Sequence, residues 1–212
     1  MEASFWHQRW ADNQIAFHMS EANPMLVAHF VSLGLQPGKR VFIPLCGKTL
    51  DIAWFLAKGF RVAGAELSEL AIQQLFEELG VEPEITRVGN LRHYHAENID
   101  IYVGDIFELT GATLGPVDAI YDRAALVALP DDMRKRYTAH LMSIAGKAPQ
   151  LLISFEYDQS LMSGPPFSVG NDEVRQHYDD HYALTLLASQ DIPGGLKGIC
   201  PAMENVWLLK SG

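Results

Sequence analysis

Apolar positions along the chain follow two rhythms. Mainly apolar runs of strand length occur at RVFIPL (40–45), RVAGAEL (61–67) and QLLISFEY (150–157). Two more, IDIYVGDIFEL (99–109) and PVDAIYDRAAL (116–126), give strands ending near Asp105 and Asp122. Such runs read as strands buried on both faces. Between them, TLDIAWFLAKG (49–59), ELAIQQLFEELG (69–80) and PDDMRKRYTAHLMSIAG (130–146) carry the spacing of helices. Ser68 caps the second of these, and Gly59 closes the first. MRKRY (133–137) occupies one turn of the third, predicted to be a surface helix.

Upstream, FWHQRWADNQ (5–14) predicts a short helix with Trp6 and Trp10 one turn apart. NPMLVAHFVSLG (23–34) predicts a second, with Asn23 as N-cap, proline first and glycine last. Downstream, NDEVRQHYDDHY (171–182) predicts a helix after a loop containing SGPPFS. YALTLLASQ (182–190) and NVWLLK (205–210) predict two closing strands, joined through the Gly- and Pro-rich IPGGLKGICP. Strand and helix alternate from residue 40 to about 156, the pattern of a doubly wound, mostly parallel α/β sheet. An N-terminal helical extension and an antiparallel finish flank it. Ligands in such sheets sit at the carboxyl ends of the strands.

The chain has 212 residues, enough for one α/β domain, and 48% of them are apolar. The formal net charge of −10 disfavours nucleic acid and acidic membrane surfaces as partners. No run of about 18 apolar residues occurs, and the N-terminal stretch lacks an apolar signal core. The two cysteines, Cys46 and Cys200, are too few for a disulfide framework. A reduced, cytoplasmic setting is the expectation.

CGKT at 46–49 invites a phosphate-loop reading. That loop needs a glycine at position 42, where Phe42 stands inside the first strand. A dinucleotide fingerprint needs three spaced glycines, and only Gly47 is present. Glu66, 19 residues beyond Gly47, ends the second strand, where an acid meets ribose hydroxyls. Asp105 ends the next, within reach of an adenine. Ribose and adenine without pyrophosphate fit S-adenosylmethionine; a solvated strand-end acid is the plain alternative for Glu66.

These segments also carry a resemblance. FWHQRWADNQIAFH, PLCGKTLDIAWF, GAELS, GDIF, YDRAALVALP, GPPFSV and ENVWLL look like the thiopurine S-methyltransferase family in its bacterial branch, from Phe5 to about Leu209. The resemblance implies a seven-stranded, Rossmann-like methyltransferase fold in a single domain, 1–212, with residues 1–22 as an N-terminal lid and 23–212 as sheet and covering helices. It implies S-adenosylmethionine as cofactor, held by Trp10, Leu45, Glu66, Asp105, Ile106 and Arg123. Phe17 falls where the family meets substrate; by its own chemistry Arg123 is a candidate donor to an anionic acceptor as well. The implied acceptors are aromatic or heterocyclic thiols, with selenium or tellurium compounds in bacterial members.

Read by themselves, Trp6, Trp10 and Phe17 describe either a helix packed on the core or a lid facing the cofactor. Arg123 beside Asp122 is either a salt-bridged strand end or a planar donor to an anion. No side chain is assigned as a catalytic acid or base, because a heteroaromatic thiol ionises readily; Arg123 is left an electrostatic role. His177 and His181, spaced i, i+4, lack the glutamate of the zinc-protease motif. They and His93/His95 are read as surface or structural histidines, and no metal is expected. Cys46 is read as a buried, unreactive thiol, and Glu156 has no argued role. The expected partner is a small-molecule thiol or metalloid acceptor, with no nucleic acid and no membrane, on a monomer. A nicotinamide-dependent oxidoreductase and a non-catalytic cofactor-binding protein remain as readings of other classes.

Overall fold

The computed structural model describes residues 3–15 and 19–211. They form one sheet of nine strands: β1 (Arg40–Pro44), β2 (Arg61–Glu66), β3 (Glu84–Val88), β4 (Leu91–Ala96), β5 (Ile99–Val103), β6 (Ala119–Arg123), β7 (Gln150–Tyr157), β8 (Ala183–Asp191) and β9 (Ala202–Lys210). Their spatial order is β3-β4-β5-β2-β1-β6-β7-β9-β8. The pairs β5·β2, β2·β1, β1·β6 and β6·β7 are parallel, and β7·β9 and β9·β8 are antiparallel. This core has the seven strands expected. The remaining two, β3 and β4, are an antiparallel hairpin added outside β5. It escapes the apolar-run criterion because β3 is exposed at every position.

Helices α1 (Ala3–Ala11), α2 (Pro24–His29), α3 (Leu50–Ala57), α4 (Glu69–Leu79), α5 (Gly111–Leu114), α6 (Asp131–Ile144) and α7 (Asn171–Tyr178) complete the described fold. Side chains alternate across each inner strand, so Val41 and Ile43 enter one apolar core while Phe42 enters the other. The first core holds α2, α3 and α4 through Leu26, Phe55 and Leu75; the second holds α5, α6 and α7 through Leu114, Leu141 and Val174. Each fully buried Leu or Phe here contributes about 1.5–3 kcal/mol.

The sequence punctuation is realised. Asn23 Oδ1 accepts from the Met25 and Leu26 amides, Ser68 Oγ accepts from the Ala71 amide, and Gly34 and Gly80 close their helices in the left-handed region. Two expectations are corrected. MRKRY is not wholly surface: Tyr137 is fully buried, and Arg134 is buried with hydrogen bonds to Glu173 and the Leu129 carbonyl. The C-terminal helix stops at Tyr178, so His181 lies beyond it. His177 instead meets Glu173 within the helix, and His181 faces Lys147. Among the described residues no helix is long and apolar enough to cross a membrane.

Candidate functional site

The carboxyl ends of β1, β2, β5 and β6 meet along one edge of the sheet, and the acids and turns singled out above converge there. β1 ends in a turn whose backbone is unusual. Leu45 has φ +47° and Gly47 φ +51°. A left-handed leucine is costly and persists only where its surroundings demand it. Here the Cys46 amide donates to the Ala65 carbonyl at 2.9 Å and pins the turn to β2.

Glu66 closes β2 and is only 6% exposed. Its Oε2 accepts from the Gly47 amide at 2.8 Å and its Oε1 from the Ser68 amide at 2.8 Å. Burial pushes its pKa up, and the backbone donors of Ser68, Gly47 and Leu67 pull against that. A carboxylate has about four acceptor positions. The Gly47 and Ser68 amides fill one on each oxygen, which leaves acceptor positions for further donors such as vicinal hydroxyls. The Cys46 thiol alongside is buried and pushed well above the ordinary thiol pKa by burial and by the Glu66 charge. The sequence reading of a buried thiol holds.

β5 runs parallel to β2 with Val103 opposite Glu66, and the Gly104 amide donates to the Glu66 carbonyl at 2.9 Å. Asp105 therefore stands at the same edge, exposed, with Oδ1 capping the Phe107 amide at 3.0 Å. Ile106 beside it is buried, and its carbonyl meets His140 Nε2 at 2.9 Å.

At the end of β6 the neighbours Asp122 and Arg123 go separate ways. Asp122 is fully buried; it accepts from the Leu126 amide at 3.1 Å and from the Tyr137 hydroxyl at 2.8 Å. Burial outweighs those donors and raises its pKa from 3.8 to about 6. Arg123 is half-buried, and its guanidinium makes no hydrogen bond or ion pair among the described residues. The salt-bridge alternative with Asp122 is thus not realised. Its charge acts electrostatically on Tyr121 and on Glu204 of β9, lowering the pKa of each against their burial. Ala124, the next residue, has φ +61°, a second strained turn on this edge.

The roof of the cleft comes from three segments. Trp10 of α1 is 5% exposed and lies over the first turn: a Cβ on Gly47 would stand 2.9 Å from its ring carbon Cζ2. Lys197 donates to the Pro165 carbonyl at 2.6 Å, which joins the 192–201 and 158–170 loops. Burial and the nearby Arg9 charge push the Lys197 ammonium pKa down, so α1 reaches this junction too. The Phe167 amide, donating to the Val127 carbonyl at 2.6 Å, ties the loop back to the turn after β6.

Of the residues singled out in sequence, Trp10, Leu45, Glu66, Asp105, Ile106 and Arg123 all fall on this edge. Phe17 lies outside the described residues. One buried acid, Asp51, was missed, and Asp122 was read only as a strand-end neighbour of Arg123. Asp51 accepts from the Asn23 amide at 2.7 Å and the Tyr121 hydroxyl at 3.0 Å, linking α2, α3 and β6 beneath the cleft. Asp122 braces the β6 turn. Asp51 sits in a helical first turn and Asp122 in an apolar run, and the latter is the one legible signal of a buried, partnered carboxylate.

Comparison with known proteins places this geometry. The sequence profile of the thiopurine S-methyltransferase (TPMT) family matches residues 1–210. The chain is similar to a thiopurine S-methyltransferase of Xanthobacter autotrophicus, 57% identical and covering 99% of both chains. It is 49% identical to one of Gluconobacter oxydans, covering 97% of this chain and 93% of that one. Among solved structures, the 1,6-didemethyltoxoflavin-N1-methyltransferase of Burkholderia thailandensis, with bound S-adenosylhomocysteine, aligns at a TM-score of 0.67 and 19% identity, over 99% of this chain and 87% of that one. The likeness to that enzyme is one of fold.

Proposed function

The chain belongs to the thiopurine S-methyltransferase family, and from that premise and the Glu66 cleft we propose that it moves the methyl group of S-adenosylmethionine to the sulfur of aromatic or heterocyclic thiols. It is a methyltransferase, and S-adenosylmethionine is its cofactor. The observation that carries the site assignment is Glu66, buried at the end of β2 with acceptor capacity left beyond the Gly47 and Ser68 amides. These suit the two ribose hydroxyls. Trp10 and Leu45 flank the methionine side, Asp105 and Ile106 back the adenine, and Arg123 meets the cofactor carboxylate or the acceptor. Phe17 contacts the acceptor. The chain acts as a single-domain monomer in the cytoplasm, residues 1–22 serve as its lid, and its acceptors are small molecules rather than nucleic acid.

When bound, S-adenosylmethionine supplies an electrophilic methyl on a sulfonium. The protein's own task is alignment and exclusion of water. A thiolate meeting a sulfonium loses charge on the way to products, so a dry site favours the reaction. Trp10, the 158–170 loop and the 192–201 loop provide that cover. Arg123, with no partner among the described residues, is available to stabilise the attacking thiolate and to draw an anion towards a chain of net charge −10. Selenium and tellurium compounds, whose nucleophiles are softer still, belong to the same acceptor class. A panel of thiols, selenols and metalloid oxyanions with methyl-labelled S-adenosylmethionine tests the reading. Label on heteroaromatic sulfur supports it; transfer to nitrogen or oxygen acceptors alone overturns it.

A further inference from the structure

The opposite end of β5 carries a second constellation. β4 and β5 pair so that His95 stands directly across from Asp100, and His93 across from Tyr102. Alternation puts all four side chains on one face. His93 Nε2 and His95 Nδ1 each lie 2.9 Å from the same atom, Asp100 Oδ1. The donor atoms of the three residues all fall within 4.8 Å of one another.

Two features hold the group in place. Arg40 of β1 donates to the other carboxylate oxygen, Asp100 Oδ2, at 3.0 Å, which fixes the carboxylate and leaves Oδ1 facing the imidazoles. The His93 ring stacks flat on Tyr102, with centroids 4.8 Å apart and planes 9° from parallel. The neighbouring partners of the ligands are thus in place, as in built metal sites. Asp100 lies near the start of β5, roughly 10 Å of strand from the Glu66 edge.

We propose that His93, His95 and Asp100 form a site for a borderline divalent transition metal of the zinc type. Two imidazoles and one carboxylate are a ligand set that such ions take, with water completing the coordination. Metal–ligand bonds of about 2.0–2.1 Å put tetrahedral ligand atoms roughly 3.3 Å apart. Two of the three separations here are already below that, so small side-chain rotations admit the ion. Each ring then offers to the metal the nitrogen that now faces Asp100. In a neutral ring the proton moves to the other nitrogen; a protonated ring releases one to solvent. A bound ion would clamp the β3–β4 hairpin, the addition to the seven-stranded core, onto β5.

The test uses the chelator-treated full chain titrated with zinc chloride by calorimetry, beside His95→Gln and His177→Gln. The half-exposed His95 tolerates replacement, and His177 controls for the separate pair with Glu173. One saturable site, weakened about 10-fold or more in His95→Gln and unchanged in His177→Gln, is expected. NMR shifts of the His93 and His95 imidazoles on adding zinc to the unaltered chain give the same answer without a variant. No saturable binding, binding indifferent to His95, imidazoles that do not shift, or loss of binding with His177 overturns the proposal.

Discussion

Replacing Glu66 by glutamine keeps the side chain's size and removes its charge. In the structure each carboxylate oxygen accepts one backbone amide, from Gly47 and from Ser68. The glutamine oxygen can serve only one of them; its amino group then faces the other N–H, donor against donor. One buried amide goes unsatisfied, at about 1–3 kcal/mol. Removing a buried charge offsets part of that, since burial already raises the Glu66 pKa. The net loss of stability is therefore less than that of the unsatisfied amide alone. The ribose loses a charge-assisted acceptor, which weakens cofactor affinity by about 1–3 kcal/mol, a roughly 5- to 150-fold rise in Kd. Calorimetry with S-adenosylhomocysteine on wild type and Glu66→Gln measures it, with urea unfolding to establish that the variant is folded. The sign with pH also follows. Ribose donors favour the ionised carboxylate, so wild-type affinity should fall as acid protonates Glu66, and the variant should lose that fall. An unchanged Kd in a folded variant removes Glu66 from the site.

Three further predictions bear on its surroundings. Arg123→Lys keeps the charge and loses the planar fork; much activity in Lys and little in Ala marks an electrostatic role, loss of cofactor affinity in both marks a bidentate clamp, and full activity in Arg123→Ala refutes both. Asp122, raised from 3.8 to about 6, stabilises the fold fully below its unfolded pKa and loses that contribution as pH rises through about 6. The amount is about 3 kcal/mol, so urea unfolding of Asp122→Asn from pH 4 to 8 should show a flatter profile than wild type; the same slope in both would contradict it. Hydrogen exchange in residues 3–11 should slow when S-adenosylhomocysteine is added, and equal protection would make α1 a fixed part of the core.

The parts of this molecule legible in sequence are those in which local signals and global fold agree. Asn23, Ser68 and Gly80 name their helix ends because capping is a contact between near neighbours. Glu66 and Asp105 could be placed at one edge because consecutive parallel strands put their carboxyl ends together. The hairpin at 84–96 was illegible, since β3 is exposed throughout and its alternation carries no apolar face. Asp51, Asp100 and Asp122 each have a partner 15 or more residues away: Asn23 and Tyr121, Arg40, and Tyr137 respectively. Nothing local marks such pairings. Trp10 over Gly47 is of the same kind: the aromatic spacing at 6 and 10 predicted a helix, but its seat on the first turn is a tertiary fact.

On the reading proposed above, the Glu66 edge holds the methyl donor. A crystal structure of the chain with S-adenosylhomocysteine tests it most directly. Both ribose hydroxyls should lie within hydrogen-bond distance of the Glu66 carboxylate, the adenine beside Asp105 and Ile106, and the homocysteine sulfur under Trp10. A ligand bound elsewhere, or a ribose whose hydroxyls turn away from Glu66, would contradict it.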